Sequence, residues 1–119
     1  MKLKGLVAGE LRLEVTSIVN TVEVRWRGRS VSRAPGEEIL PYFGELADKY
    51  KDRELVLDFR ELEYMNSSTV RPIIELLQSA NMHASAVRVL YRSGVTWQRL
   101  SFRLIEALSK DWGKVTMEG

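Results

Sequence analysis

Apolar and polar residues first alternate regularly at Leu11-Arg12-Leu13-Glu14-Val15-Thr16. A period of two belongs to a strand with one buried face. A second alternation puts Ile18, Val22, Val24 and Trp26 on one face and Thr21, Glu23, Arg25 and Arg27 on the other. The short Ser17–Asn20 link predicts a hairpin. Gly28 ends this pattern, and Arg29–Pro35 reads as a loop. The period then changes: Ile39, Leu40, Phe43, Leu46, Ala47 and Tyr50 recur at helical spacing within Glu37–Tyr50. Pro41 suits that helix only near its first turn, where a missing N–H costs nothing.

After the polar break Lys51-Asp52-Arg53, the run Glu54-Leu55-Val56-Leu57-Asp58-Phe59 is almost continuously apolar, as in a strand covered on both faces by parallel pairing. Arg60–Met65 reads as a connection to Asn66-Ser67-Ser68-Thr69, a cluster of helix-capping residue types. Val70, Ile73, Ile74, Leu77 and Ala80 then mark the clearest helical period in the chain. Ala86–Tyr91 predicts another strand, and Ser93-Gly94 a turn. Trp97, Leu100, Leu104, Ile105 and Leu108 predict a third amphipathic helix, and Lys114–Glu118 a last short strand. The order β-β-α-β-α-β-α-β implies an α/β fold, with right-handed crossovers and helices packed on a mixed sheet. No linker or repeat divides residues 1–119, which read as a single domain.

Composition narrows the chemistry. At 119 residues and 45% hydrophobic content the chain has the material for one core. With no Cys there is no thiolate nucleophile, disulfide framework or Cys-based metal site, and a single His rules out a His-rich one. No apolar stretch exceeds four residues, whereas a signal core needs ~7–15 and a membrane span ~20. The expectation is a soluble cytoplasmic protein without membrane insertion. The net charge of +2 is unevenly spread: residues 1–35 carry +4, residues 36–63 carry −5 and residues 64–119 carry +3. No concentrated basic patch of the kind nucleic acid requires is visible.

The densest local chemistry is Tyr64-Met65-Asn66-Ser67-Ser68-Thr69-Val70-Arg71, which lies between a buried strand and an amphipathic helix. A helix start favours an anion, either a bound phosphate or a phosphorylated hydroxyl. The same residue types also serve as N-caps worth ~1 kcal/mol, and on residue type alone the cap is favoured. Either Asn66 or Thr69 can be that cap; only Thr69 would leave Pro72 in the first turn.

A serine nucleophile needs a base, and the sole His lies 16 residues beyond Ser67, ~24 Å along a helix at ~1.5 Å per residue. His83 therefore reads as a helix-end residue. Asp58 is a lone carboxylate, and a Mg²⁺ site normally assembles several oxygen ligands. No phosphate-cradling glycine motif occurs. Arg25, Arg27, Arg29 and Arg33 form either a basic stripe or a solvated face guarding an edge strand, the latter being favoured. Trp26, Trp97 and Trp112 read as core or core-edge residues, not a stacking platform.

The stretch Leu55-Val56-Leu57-Asp58-Phe59, followed by Leu62-Glu63-Tyr64-Met65-Asn66-Ser67-Ser68-Thr69, resembles the central signature of STAS domains, the family of anti-sigma-factor antagonists. There a hydrophobic strand, a short loop and an aromatic–apolar pair precede Asp-Ser-Ser-Gly at a helix start. The element order matches over residues 11–109. The resemblance implies a STAS-like mixed β-sheet with an N-terminal β-hairpin and about three helices packed on it. It also implies a non-enzymatic bacterial signalling regulator that needs no cofactor.

In that family the first Ser of the signature is phosphorylated by an ATPase-type serine kinase, often the anti-sigma factor itself. A PP2C-type phosphatase reverses the step, and the phosphorylated form releases its partner. Carried over, Ser67 is the phosphoacceptor, with Ser68 and Thr69 as alternates. Tyr64, Met65, Asn66, Ser67, Ser68, Thr69, Val70 and Arg71 form the partner-binding surface. Asn66 stands where Asp is usual and Thr69 where Gly is usual. This variant looks like the divergent branch that regulates enzymes such as diguanylate cyclases. The alternative is a STAS-type binding or scaffold module of a transport or stress-signalling assembly, without phosphorylation.

Overall fold

In the computed structural model, which describes residues 1–119, the two alternating segments pair as antiparallel strands β2 (Leu11–Ile18) and β3 (Thr21–Ser30). Leu11, Leu13, Val15, Val22, Val24 and Trp26 point into the core. Ile18 does not join them: at the tip of the hairpin, beside Val19 at φ 39°, it is 59% exposed. The chain continues through α1 (Gly36–Tyr50), β4 (Glu54–Asp58), β5 (Leu62–Met65), α2 (Val70–His83), β6 (Ala86–Leu90), α3 (Thr96–Ser109) and β7 (Val115–Glu118).

Strands β4, β5, β6 and β7 all run parallel to β3 or to one another. With β1 (Lys2–Ala8) they make one sheet in the order β1-β2-β3-β4-β6-β7, and β5 lies beside the far end of β3. Each parallel step moves the same way across the sheet, so right-handed crossovers place the three helices on one face. There α2 packs between α1 and α3. The core is a single cluster, with Trp26 packed against Phe59 (centroids 4.6 Å apart) and Phe43 (5.9 Å). Trp97 and Trp112 are half-buried at its rim.

The structure extends the expected element list on either side of the hairpin. A strand precedes the hairpin: β1 pairs with the outer edge of β2, but its register shifts between Leu3 and Leu6. Both side chains pack on the core although they are three residues apart, so no period of two marks the strand. Gly5 permits the bulge, because a Cβ there would collide with the Leu13 carbonyl oxygen. At the other end, β3 runs on past Gly28 to Ser30, and these last residues pair with β5, where a connection was expected. Gly28 has φ +81°, and a Cβ on it would meet the Glu10 carbonyl oxygen, so the glycine bends the strand instead of ending it.

Three further expectations are corrected. Strand β3 is interior, so its arginines do not guard an edge. They lie on the helix-free face, where Arg25 pairs with Glu23 and Glu61, and Arg27 with Glu14 and Glu61. In α3 the buried residues are Gln98, Phe102, Ile105 and Ser109, whereas Leu100, Leu104 and Leu108 are 60%, 53% and 55% exposed. Pro41 is the sixth residue of α1, beyond the turn that would excuse its missing N–H.

Candidate functional site

Strand β4 ends at Asp58, which is buried. The chain turns through Arg60, whose backbone N–H and Nε donate to Asp58 Oδ1 (both 3.0 Å) and whose Nη2 donates to Oδ2 (2.9 Å). Burial raises the Asp58 pKa, but the Arg60 hydrogen bonds and the charges of Arg60 and Arg25 outweigh it and hold the carboxyl below its ordinary value. Both carboxylate oxygens are thus committed within the fold. No three His, Asp or Glu side chains converge to hold a metal ion with it.

Beyond this turn, Phe59 and Leu62 are buried. Gln98, buried at the start of α3, fastens the segment: its Nε2 donates to the carbonyls of Phe59 (2.9 Å) and Leu62 (3.0 Å), and its Oε1 accepts from the Arg92 N–H (2.8 Å). Sequence periodicity missed Gln98, because a glutamine facing inward has no apolar signature. Strand β5 then carries Met65 into the core and leaves Tyr64 partly exposed, with the Arg29 guanidinium 5.3 Å from its ring centroid.

The hydroxyl cluster divides into two pairs. Asn66 and Thr69 form the frame. Asn66 is extended (φ −79°, ψ 170°); its N–H donates to Ser30 O (3.0 Å) and its Nδ2 to Ser32 O (2.8 Å). Thr69 is 0% exposed. Its hydroxyl donates to Asn66 Oδ1 (2.8 Å) and lies 2.7 Å from Ser30 Oγ. Its one proton goes to the amide oxygen, so Ser30 is the donor in the second bond. The resulting chain, Ser30 to Thr69 to Asn66 to Ser32, ties the β3–α1 loop to the start of α2.

Ser67 and Ser68 are the other pair. Both are exposed, and no side-chain hydrogen bond engages either hydroxyl. Ser67–Thr69 form one 3-10 turn that leads directly into α2. Asn66 precedes the 3-10 turn, Thr69 precedes the α-helix and Pro72 falls in the first turn of α2. Neither Asn66 nor Thr69 makes a side-chain cap hydrogen bond. The expected N-cap gives way to the bonds that tie these two side chains to each other and to the β3–α1 loop. Val70 is half-buried at the helix start and Arg71 projects into solvent, paired with Glu75 at 3.3 Å.

A shallow groove of about 440 Å³ runs past Ser68 between Arg33, Leu40, Arg71 and Pro72. A second cleft, about 410 Å³ between β1 and α1, shares no lining residue with it. His83 lies at the far end of α2, its Nδ1–H donating to Ser79 O (2.8 Å), and so supplies no base to Ser67.

One mixed sheet, helices on a single face and an exposed serine pair at the start of the second helix together make a STAS-like fold. The chain is similar in structure to an anti-sigma factor antagonist from Mycobacterium paratuberculosis, with a TM-score of 0.64 and 13% sequence identity, covering 87% of this chain and 86% of that one. No family model and no curated protein matches the sequence. No helix is long and apolar enough to cross a membrane.

Proposed function

We propose that this protein is a non-enzymatic bacterial signalling regulator of the anti-sigma-factor-antagonist kind, switched between partners by phosphorylation of Ser67. The observation that carries this reading is the division of the hydroxyl cluster. Ser67 and Ser68 are exposed and free of side-chain partners, while Thr69 is buried and hydrogen-bonded within the frame. A modifying enzyme has access to the first two, with Ser68 the alternate. The buried Thr69 is reached only if the turn opens.

A phosphate at Ser67 would add roughly −1.5 to −2 charges beside the surface formed by Tyr64–Arg71. The N-terminal end of α2 tolerates negative charge, so the modification alters docking without unfolding the domain. The partners this reading implies are an ATPase-type serine kinase acting as anti-sigma factor and a PP2C-type phosphatase, in a cytoplasmic pathway controlling transcription. A regulated enzyme such as a diguanylate cyclase is the alternative target.

The test is a comparison of Ser67→Ala, Ser67→Glu and the unmodified protein against a kinase encoded beside it. The expected results are addition of one phosphoryl group mapped to Ser67, tight binding of Ser67→Ala and release of Ser67→Glu. Equal binding of the two variants, with no phosphoryl transfer, would leave the scaffold reading instead.

A further inference from the structure

We propose that the carboxyl ends of β4 and β6 carry a binding site for a phosphoryl group, free phosphate or a small phosphate monoester, built from Arg25, Arg60 and Arg92. The site goes beyond the serine switch and stands without it: its cavity shares no lining residue with the groove past Ser68.

Strand register brings the three arginines together. Arg25 lies beside Asp58 in the β3–β4 pair, and Asp58 lies beside Leu90 in the β4–β6 pair. Asp58 and Leu90 end their strands, and Arg60 and Arg92 each follow two residues later. Their side chains line one cavity of about 250 Å³ with Arg25, and Glu61 is the only other residue in its wall. The carboxyl ends of parallel strands are where open α/β sheets bind ligands.

Charge and free donors decide the ligand. The wall carries three positive groups against one negative, and Asp58 and Glu23, the partners of Arg60 and Arg25, do not line it. Those pairings hold two of the guanidinium groups in place without using them up. Arg60 gives Nε and Nη2 to Asp58, while Arg25 gives Nη2 to Glu23 and sets Nε 3.6 Å from Glu61, so Nη1 of each is left over. Arg92 is anchored through its backbone N–H to Gln98, and its guanidinium has no ion pair within the molecule. Three planar forks around one space suit a tetrahedral oxyanion, which offers oxygens in more directions than a planar carboxylate. The cavity is smaller than the ~300–1,000 Å³ of sites for drug-sized ligands. Its wall holds no apolar residue, so a nucleobase has nothing to stack on. The ligand is therefore a small phosphate, with the remainder of any ester directed to solvent.

The experiment titrates the whole protein with inorganic phosphate and with glycerol 3-phosphate, followed by amide NMR shifts at constant ionic strength, with acetate as the control anion. At least one of the two phosphates should bind saturably with a Kd of about 1 mM or below. Tighter binding of inorganic phosphate identifies the free anion as the ligand, and tighter binding of glycerol 3-phosphate identifies a monoester; either supports the site. Arg92→Gln should weaken binding about tenfold or more, the worth of a hydrogen bond to a charged group, and keep the wild-type melting temperature, since no side-chain partner is lost. Glu61→Gln removes the one negative charge of the wall and should tighten binding. Arg103→Gln removes the same charge as Arg92→Gln from an exposed position outside the cavity, and should leave binding unchanged. The proposal is overturned by no saturable binding of either phosphate up to about 10 mM, by acetate binding as tightly, by affinity that survives Arg92→Gln, or by equal losses in Arg92→Gln and Arg103→Gln.

Discussion

Thr69 and Ser67 are two residues apart and have opposite consequences when changed. Thr69→Val keeps the shape of the side chain but removes the proton given to Asn66 Oδ1 and the oxygen that accepts from Ser30. Two polar groups lose their partner, one of them on buried Ser30, and the expected cost is about 1–3 kcal/mol in urea unfolding. Ser67→Ala removes an exposed hydroxyl with no side-chain partner, and should change stability by about 0.5 kcal/mol or less.

Asp58 adds a pH dependence at the same scale. Its folded pKa lies below the ordinary value, so its contribution is present above the unfolded pKa and is lost as pH falls through the folded one. Arg60→Gln removes the guanidinium's hydrogen bonds and charge but keeps the backbone N–H of residue 60 and the charge of Arg25, so the Asp58 pKa rises from its wild-type position. Acid unfolding should then begin at higher pH than in wild type, with stability at neutral pH lower by about 1–2 kcal/mol, because Arg60 is half exposed and partly screened. An unchanged acid limb would show that the pair contributes nothing.

At the scale of elements, α3 shows where sequence patterns stop being informative. Its apolar residues do recur at helical spacing, and the helix was legible for that reason. The face turned to the core was not, because two rows compete: Leu100, Leu104 and Leu108 on one side, Phe102 and Ile105 with polar Gln98 and Ser109 on the other. Burial of Gln98 depends on carbonyls of Phe59 and Leu62, 39 and 36 residues away, which no local period can report. Neighbouring substitutions check the assignment: Ile105→Ala should cost about 2–5 kcal/mol and Leu104→Ala about 0.5 kcal/mol or less.

Strands β1 and β5 escaped for related reasons. The bulge between Leu3 and Leu6 breaks the alternation in β1, and the four residues of β5 pair only with the bent end of β3 beyond Gly28. By contrast, β2, β3 as far as Gly28, β6, α1 and α2 present regular periods and β4 a continuous apolar run. The residue types of the Asn66–Thr69 turn mark the start of a helix, although neither Asn66 nor Thr69 caps it with its side chain. Its internal division was hidden, since whether a hydroxyl is frame or surface depends on Ser30 and Ser32 across the β3–α1 loop.

Over the whole molecule the sheet has one face under helices, one face carrying ion pairs, and two open edges. The edge at β1 deals with exposure by Lys2 and Lys4 and by a bulge at Gly5, both devices against strand-to-strand association. The strand is also fastened to the rest of the fold. The Ser17 N–H donates to Met1 O (2.7 Å), the Tyr42 hydroxyl of α1 donates to Lys4 O (2.7 Å), and Leu3 and Leu6 pack against the core. Without residues 1–8, β2 becomes the edge, longer than the strand it replaces, with Leu11, Leu13 and Val15 beneath it and no bulge to interrupt it. Loss of the two partly buried leucines should lower stability by about 2–4 kcal/mol. The bare edge should make the truncated protein self-associate, read as a rising sedimentation coefficient with concentration while the full chain stays constant. A truncated protein that stays monodisperse and unfolds at the same urea concentration would mean that β1 is an accessory to the sheet and not its protection.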